Sequence, residues 1–306
     1  MRVTRSQTAT TARRIGLAKF GKPHEYVHTK KFYRGVRDEY VSICLLGSGA
    51  YANVFKAMNM RTGEYAALKI FNCLGQERAD FELEWEVMRE LESIGYPWMI
   101  PFLDVSSGGP DFFIVYEMMD GCVGKDTMFD LETTFRAAEE LLEALSFLHF
   151  RGIGHGDICT ENILFKHDQR RGRDHSFRFS DFGLSGNHEN SSRSRECVLV
   201  GHVQFTDNAL VEDEGEFTPF EAQKLCDIHA LGTTLIHMMN SRDYHAGYIN
   251  FPIETSNGER DCRRQLDDDP RLFSHLHDLA AAMTGPVEER PIAQTALVRL
   301  RLFSPE

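Results

Sequence analysis

The spacing of hydrophobic positions changes period along this chain. Tyr40 to Leu46 alternates apolar and polar residues as a half-buried strand does, and Ala66 to Phe71 is a short apolar run. Between Asp80 and Ser93 the period lengthens: Phe81, Trp85, Met88 and Leu91 recur every three to four residues and mark one face of a helix. Met99 to Val105 and Phe112 to Tyr116 read as two more strands, joined by the turn cluster Ser106, Ser107, Gly108, Gly109, Pro110. Further on, Phe135 to Phe150 places Ala138, Leu141, Leu142, Leu145 and Leu148 at helical spacing. Ile163 to Phe165 and Phe177 to Phe179 are short strands, whereas Phe220 to Met239, Pro270 to Gly285 and Ile292 to Phe303 are helical. Strands dominate early and helices late, the pattern of an α+β chain with two unequal layers. The polar, glycine-bearing stretch Asp120 to Thr127 is the natural boundary.

Chemistry collects in the polar intervals. His155 Gly156 Asp157 Ile158 Cys159 Thr160 Glu161 Asn162 lies between a buried helix and a strand, so it is a held loop. A carboxylate at Asp157 suits a general base, and the carboxamide of Asn162 suits a hard cation. Further oxygens for the cation are available from Asp181, in Ser180 Asp181 Phe182 Gly183. Upstream, Gly47 Ser48 Gly49 sits between strands, where glycines let backbone amides approach phosphate oxygens. Lys69 is the sole charge in its strand, and a buried ammonium is costly unless an anion meets it.

In order and spacing these residues resemble the eukaryotic protein-kinase set, over residues 40 to 300. The resemblance implies a bilobal fold: a basic tail over residues 1–38, a small β-rich lobe with a hinge at its end over 39–119, and a larger helical lobe over 120–306. It implies ATP with Mg²⁺ or Mn²⁺, and a protein hydroxyl, serine or threonine, as acceptor. Gly47, Ser48 and Gly49 would cover the phosphates; Val54, Ala67 and Leu164 would line the adenine slot, with Glu117 and Met119 at the hinge. Lys69 would hold phosphates and pair with Glu84, although Glu82 and Glu86 are near enough to compete. Asp157 would take the hydroxyl proton, and Asn162 and Asp181 would hold the metal. Tyr116 would close the back of the pocket against bulky inhibitors, His155 would stack with Phe182, Met88 and Phe102, and Asp227 would brace the catalytic loop.

Three departures qualify this. Gly156 replaces the arginine that anchors a phosphorylated activation segment, so activity is expected not to depend on phosphorylation of Ser191, Ser192 or Ser194. Cys159 replaces a lysine that touches the transferred phosphate, a loss of roughly 10-fold or more in rate unless Lys166, Arg193 or Arg195 compensates. The Ala Pro Glu triplet is absent after Gly201, which leaves Arg290 without its usual acid and looks closer to the casein-kinase-one and vaccinia-related kinase group.

Composition narrows the setting. The 306 residues, 42% hydrophobic and 26% charged, suit a globular protein, and no apolar run is long enough to cross a bilayer. Seven cysteines without paired spacing argue against a disulfide framework and for an intracellular compartment, cytoplasm or nucleus. Thirteen histidines form no ligand pattern with a nearby acid and read as packing or surface residues. The net charge of −12 divides into +9 over residues 1–37 and −21 beyond, so the tail could contact an acidic partner, nucleic acid or a membrane surface. The first 24 residues also resemble a mitochondrial presequence. Two other readings stay open: a nucleotide-binding pseudokinase scaffold, favoured by the missing residues, and a small-molecule kinase of the aminoglycoside or choline type, which shares His Gly Asp and the following Asn.

Overall fold

The computed structural model describes residues 30–49, 52–71, 77–108, 111–124, 129–167, 175–187, 205–207, 210, 217–240, 248–255, 258–265 and 269–303. Its first part is one antiparallel sheet of six strands: β1 (Phe32–Arg34), β2 (Glu39–Ser48), β3 (Ala52–Asn59), β4 (Tyr65–Phe71), β5 (Phe102–Val105) and β6 (Phe112–Glu117). They run β1-β2-β3-β4-β6-β5 across the sheet, with helix α1 (Glu77–Ile94) crossing between β4 and β5. Side chains alternate between faces. Tyr33, Tyr40, Ala57, Ala66, Leu68, Phe113 and Val115 form one apolar cluster on one face.

The two sheet edges are joined. Gly35 bridges Ser106, and Val36 N donates to Val105 O at 2.9 Å, so the backbone groups an open edge would leave unpaired are used. Asp104, buried, holds this closure: its carboxylate accepts from Arg37 N (3.1 and 3.2 Å), Asp38 N (2.9 Å) and Val105 N (2.9 Å). A Cβ on Gly35 would stand 2.2 Å from Asp104 Oδ2, so only glycine fits. Residues 30–38, expected in the basic tail, therefore belong to the upper lobe: the alternation that reveals a strand starts at Tyr40, and three-residue β1 is too short to carry a period. The rest of the tail, residues 1–29, lies outside the described residues, as do the three candidate phosphoserines, Arg193, Arg195, Gly201, part of the expected lobe boundary and the Ala50 and Tyr51 of the glycine loop.

The lower lobe is built on helix α2 (Leu131–Phe150), capped by Asp130, which accepts from Thr133 N at 2.6 Å. Its buried stripe of Ala137, Ala138, Leu141, Leu142, Ala144, Leu145 and Leu148 is wide enough to meet neighbours on several sides. Short strands follow: β7 (Gly121–Cys122), β8 (Ile153–Gly154), β9 (Ile163–Lys166), β10 (Ser176–Phe179) and β11 (Gly186–Asn187). Strands β10, β9 and β7 form one small sheet, and β11 pairs with β8. Helix α3 (Pro219–Asn240) runs through the core, and α4 (Pro270–Thr284) and α5 (Ala293–Arg301) pack outside it. One element was not expected: a hairpin of β12 (Tyr248–Thr255) with β13 (Gly258–Gln265), whose sequence has Pro252 in one strand and five charged residues in the other.

Arg290, expected to lack its acid, has found another. It pairs with Asp207 at 2.7 Å with both side chains fully buried, and donates to Leu225 O (3.1 Å) and Gly285 O (2.8 Å).

Candidate active site

Strand pairing decides which residues share a face. Gly47 lies opposite Val54, Val54 opposite Lys69 and Lys69 opposite Ile114, while Ala67 lies opposite Tyr116. Directly opposed residues point the same way, and so do positions two apart, so Gly47, Val54, Ala67, Lys69 and Tyr116 all stand on the face turned away from the Tyr40 and Leu68 cluster. The glycine loop turns at Gly49, whose N donates to Ala52 O at 2.9 Å, with Ser48 Oγ donating to Asn53 Oδ1 at 2.6 Å. A Cβ at Gly47 would meet no protein atom within 4 Å, so the protein's own packing does not demand glycine there.

Helix α1 brings its buried stripe of Phe81, Val87, Met88 and Leu91 against this face and carries Glu84 in with it. Glu84, not Glu82 or Glu86, meets the lysine: Lys69 Nζ donates to Glu84 Oε2 at 2.5 Å and to Asp181 Oδ1 at 2.9 Å. The other Glu84 oxygen accepts from Tyr116 Oη at 2.6 Å, a bond with no signature in the residue pattern. Burial opposes the charge on Lys69, but the carboxylates of Asp181 and Glu84 outweigh it and hold the ammonium's pKa above its ordinary value. Burial pushes Glu84 up against the opposing pull of Lys69. Desolvation acts the same way on Asp181, yet the Lys69 charge and its hydrogen bond prevail and the carboxyl stays below the usual range. Burial also drives the Tyr116 phenol well up, so it is a neutral donor.

The loop that carries Asp157 and Asn162 is tied to the Asp181 loop at several points. Ser180 N and Oγ donate to Asn162 O at 2.9 and 3.1 Å, and His155 Nε2 lies 3.1 Å from Ser180 O. The Asn162 amide donates to Asp157 O (2.9 Å) and Asp157 Oδ2 (2.8 Å), which leaves its oxygen for another partner. Asp157, Asn162 and Asp181, three elements apart in sequence, are thus bound into one unit. Asp181 has φ of 64°, the left-handed region, and is the only non-glycine so placed among the described residues. That strain turns a carboxylate that is 45% exposed toward Lys69.

Beneath the loop, Asp227 of α3 is buried and accepts from His155 N (2.8 Å) and Gly156 N (2.9 Å), and contacts His149 Nε2 at 2.9 Å. The His155 ring is 4.9 Å from Phe182 and 5.3 Å from Phe179, and burial holds its pKa below the ordinary value, so it packs as a neutral ring. Met88 shares that core; Phe102 packs at its margin against Trp85, 5.0 Å away.

Two departures acquire physical reasons. Gly156 has φ of 79°, and a Cβ there would stand 2.6 Å from Gln223 Nε2 and 2.7 Å from Leu184 O, so an arginine could not take this position unchanged. Cys159 is fully buried in the main core, where a lysine's ammonium would have no water. Lys166, one of the expected substitutes for that lysine, is committed elsewhere: it pairs with Glu117 at the hinge. Glu117 N also donates to Pro101 O at 2.9 Å, which narrows what this hinge residue can offer a nucleotide to its carbonyl. Leu164 lies on β9 opposite Cys122, and the segment after Met119 is bound to that strand by Asp120 N donating to Phe165 O at 3.0 Å.

Among the described residues no cluster of three or more His, Cys, Asp or Glu side chains could hold a metal by itself. An amide oxygen and an exposed carboxylate, at Asn162 and Asp181, instead fit a hard divalent ion that keeps several ligands from water or phosphate.

The chain matches the family model described as protein kinase domain over residues 40–279. It is 25% identical over 231 residues to serine/threonine-protein kinase 10 of Homo sapiens, covering 73% of this chain and 23% of that protein. It is 24% identical over 276 residues to mitogen-activated protein kinase kinase kinase kinase 3 of Homo sapiens, covering 86% of this chain and 29% of that one. A Danio rerio serine/threonine-protein kinase 10 matches at 25% identity over 65% of this chain and 20% of its own length. The chain therefore spans less than a third of the curated relatives it matches.

Proposed function

The chain belongs to the protein kinase domain family, and from that premise we propose that it transfers the γ-phosphoryl group of ATP to a serine or threonine hydroxyl of a protein. The observation that carries this is the Lys69, Glu84 and Asp181 cluster, two carboxylates converging on one ammonium at the mouth of the Gly47 to Gly49 loop. Lys69, held in place by Glu84, orients the phosphates; the free space at Gly47 admits an anion close to the backbone. Asp157 accepts the proton of the attacking hydroxyl, with its carboxylate fixed by the Asn162 amide. Asn162 and Asp181 would hold Mg²⁺ or Mn²⁺, which when bound neutralises phosphate charge. The remaining rate comes from positioning, because phosphoryl transfer asks the protein for alignment and charge stabilisation more than for covalent chemistry.

Activity without activation-loop phosphorylation is part of this reading. The crowded, left-handed Gly156 offers no guanidinium to a loop phosphate. The buried Cys159 favours one second reading, a slow enzyme or a scaffold, since it supplies no cation to the transferred phosphate.

Incubating the protein with ATP and Mg²⁺ and mapping labelled sites by mass spectrometry tests both. Asp157→Asn is expected to lower labelling by about 10²-fold or more with ATP affinity retained. ATP binding without label in either protein would leave the scaffold standing; label on tyrosine alone would overturn the acceptor assignment.

A further inference from the structure

We propose that Tyr116 is a positioning residue: its hydroxyl holds Glu84, and through it helix α1, in the inward arrangement that a loop phosphate would otherwise have to secure. The inference rests on the kinase reading and deepens it.

The Glu84 carboxylate is buried with 1% exposure and has two oxygens to satisfy. Lys69 takes Oε2 and Tyr116 takes Oε1, so the group cannot rotate without breaking one bond or the other. The two donors come from adjacent strands, Lys69 from β4 and Tyr116 from β6, with Ala67 opposite Tyr116 fixing the register. They therefore form a rigid pair on the sheet, and Glu84 is the only one of the three that rides on a helix. A carboxylate clamped at both oxygens by a sheet fixes the helix that carries it. Further contacts act on the same helix: next to Glu84, Trp85 packs on Phe102, and Arg37 both lies over the Phe102 ring at 5.4 Å and reaches Glu92 of α1, about two turns further on, at 3.4 Å. The closing strap of the sheet and the hinge strand thus both grip α1, while neither residue belongs to the activation segment.

A hydroxyl that only satisfied a buried acid would contribute to folding and nothing else, so the test must separate the two roles. Tyr116→Phe keeps the ring and removes the oxygen. With ATP and Mg²⁺ followed by calorimetry, the variant is expected to bind ATP roughly tenfold more weakly, and kcat for a peptide substrate is expected to fall by a similar factor. On a Glu84→Gln background the same change should move neither quantity by more than about twofold, because the group it acts through is already altered. Unchanged ATP affinity and kcat in Tyr116→Phe, with only a lowered melting temperature, would overturn the positioning role. A melting-temperature cycle over Tyr116→Phe and Glu84→Gln needs no nucleotide. Should the wild type fail to bind ATP, the kinase reading falls, and additivity in that cycle would remove the Tyr116 to Glu84 coupling separately.

Discussion

Two of the buried charge clusters among the described residues, around Lys69 and around Arg290, are built differently. Around Lys69 one ammonium serves two carboxylates, one of them strained in the left-handed region and 45% exposed. Around Arg290 one guanidinium serves Asp207 and two carbonyls, all inside, with the paired side chains showing 0% exposure. Both clusters bear a desolvation cost, which a buried ion pair recovers only with complete hydrogen bonding. The Arg290 cluster is closed and can do nothing but hold. The Lys69 cluster is open on the side of Asp181, so its charges remain addressable by a ligand. Exposure joined to strain, and not burial of charge as such, separates a working site from a brace.

The strongest way to break this contrast is Lys69→Met. Removing the ammonium should reduce phosphoryl transfer by about 10²- to 10³-fold. Its cost in stability should be modest, because Glu84 already has a raised pKa and can take up a proton, and it keeps the Tyr116 hydrogen bond. Chemical denaturation beside a transfer assay measures both. A loss of stability equal to that of the brace variant below would mean that Lys69 is chiefly structural.

Arg290→Met is the converse. It leaves Asp207 buried without its cation and should cost about 3–5 kcal/mol of unfolding free energy. Transfer per folded molecule should stay within about threefold, since Arg290 is bonded to Asp207, Leu225 O and Gly285 O and to no residue of the Lys69 cluster. Adding Asp207→Leu should return a large part of the lost stability, because it removes the stranded charge. If the double variant is no more stable than the single one, the two side chains do not act as a pair.

The same contrast explains what could be read from the chain beforehand. Lys69, Asp157, Asn162 and Asp181 were legible because each puts a polar group where local pattern calls for none: a charge in an apolar strand, or a loop held between buried elements. The helices of the lower lobe were legible from period alone, to within a few residues at their ends; α2 starts at Leu131, four residues before Phe135, where the run is read to begin. The Asp207 to Arg290 pair was not, because 83 positions separate the partners and nothing in either neighbourhood records the other. Nor was the bond from Tyr116 to Glu84, which follows from strand register and helix rotation together. The strap over residues 30–38 escaped because its structure is made of backbone bridges to Val105 and Ser106 and a buried Asp104, with too few apolar positions to show a period. The β12 to β13 hairpin escaped because five of the eight residues of β13 are charged, although Ser256 Asn257 Gly258 is a turn signal in the sequence.

The mildest test uses a charge pair whose cation is open to water and whose carboxylate, though largely covered, is unstrained, and so should be neither brace nor site. On the strap, Asp38 accepts from Arg61 and from Asn59, the latter at 2.9 Å, and these hydrogen bonds, Arg61 first, lower its pKa from the usual 3.8 to about 2. A carboxyl whose folded pKa is depressed binds its proton more readily when unfolded, so its contribution to stability is complete above 3.8 and is lost as pH falls toward 2. Asp38→Asn should therefore flatten the fall of melting temperature over that acid window and leave only a small loss near neutrality, since Arg61 is 70% exposed and water screens the pair. Transfer activity should not change. An unaltered acid limb would mean that Asp38 gains nothing from Arg61 in solution. A fall in activity would be the more damaging outcome, for it would show that a half-open pair without backbone strain still reaches the site, and the criterion drawn from Asp181 would then fail to tell the two kinds of charge apart.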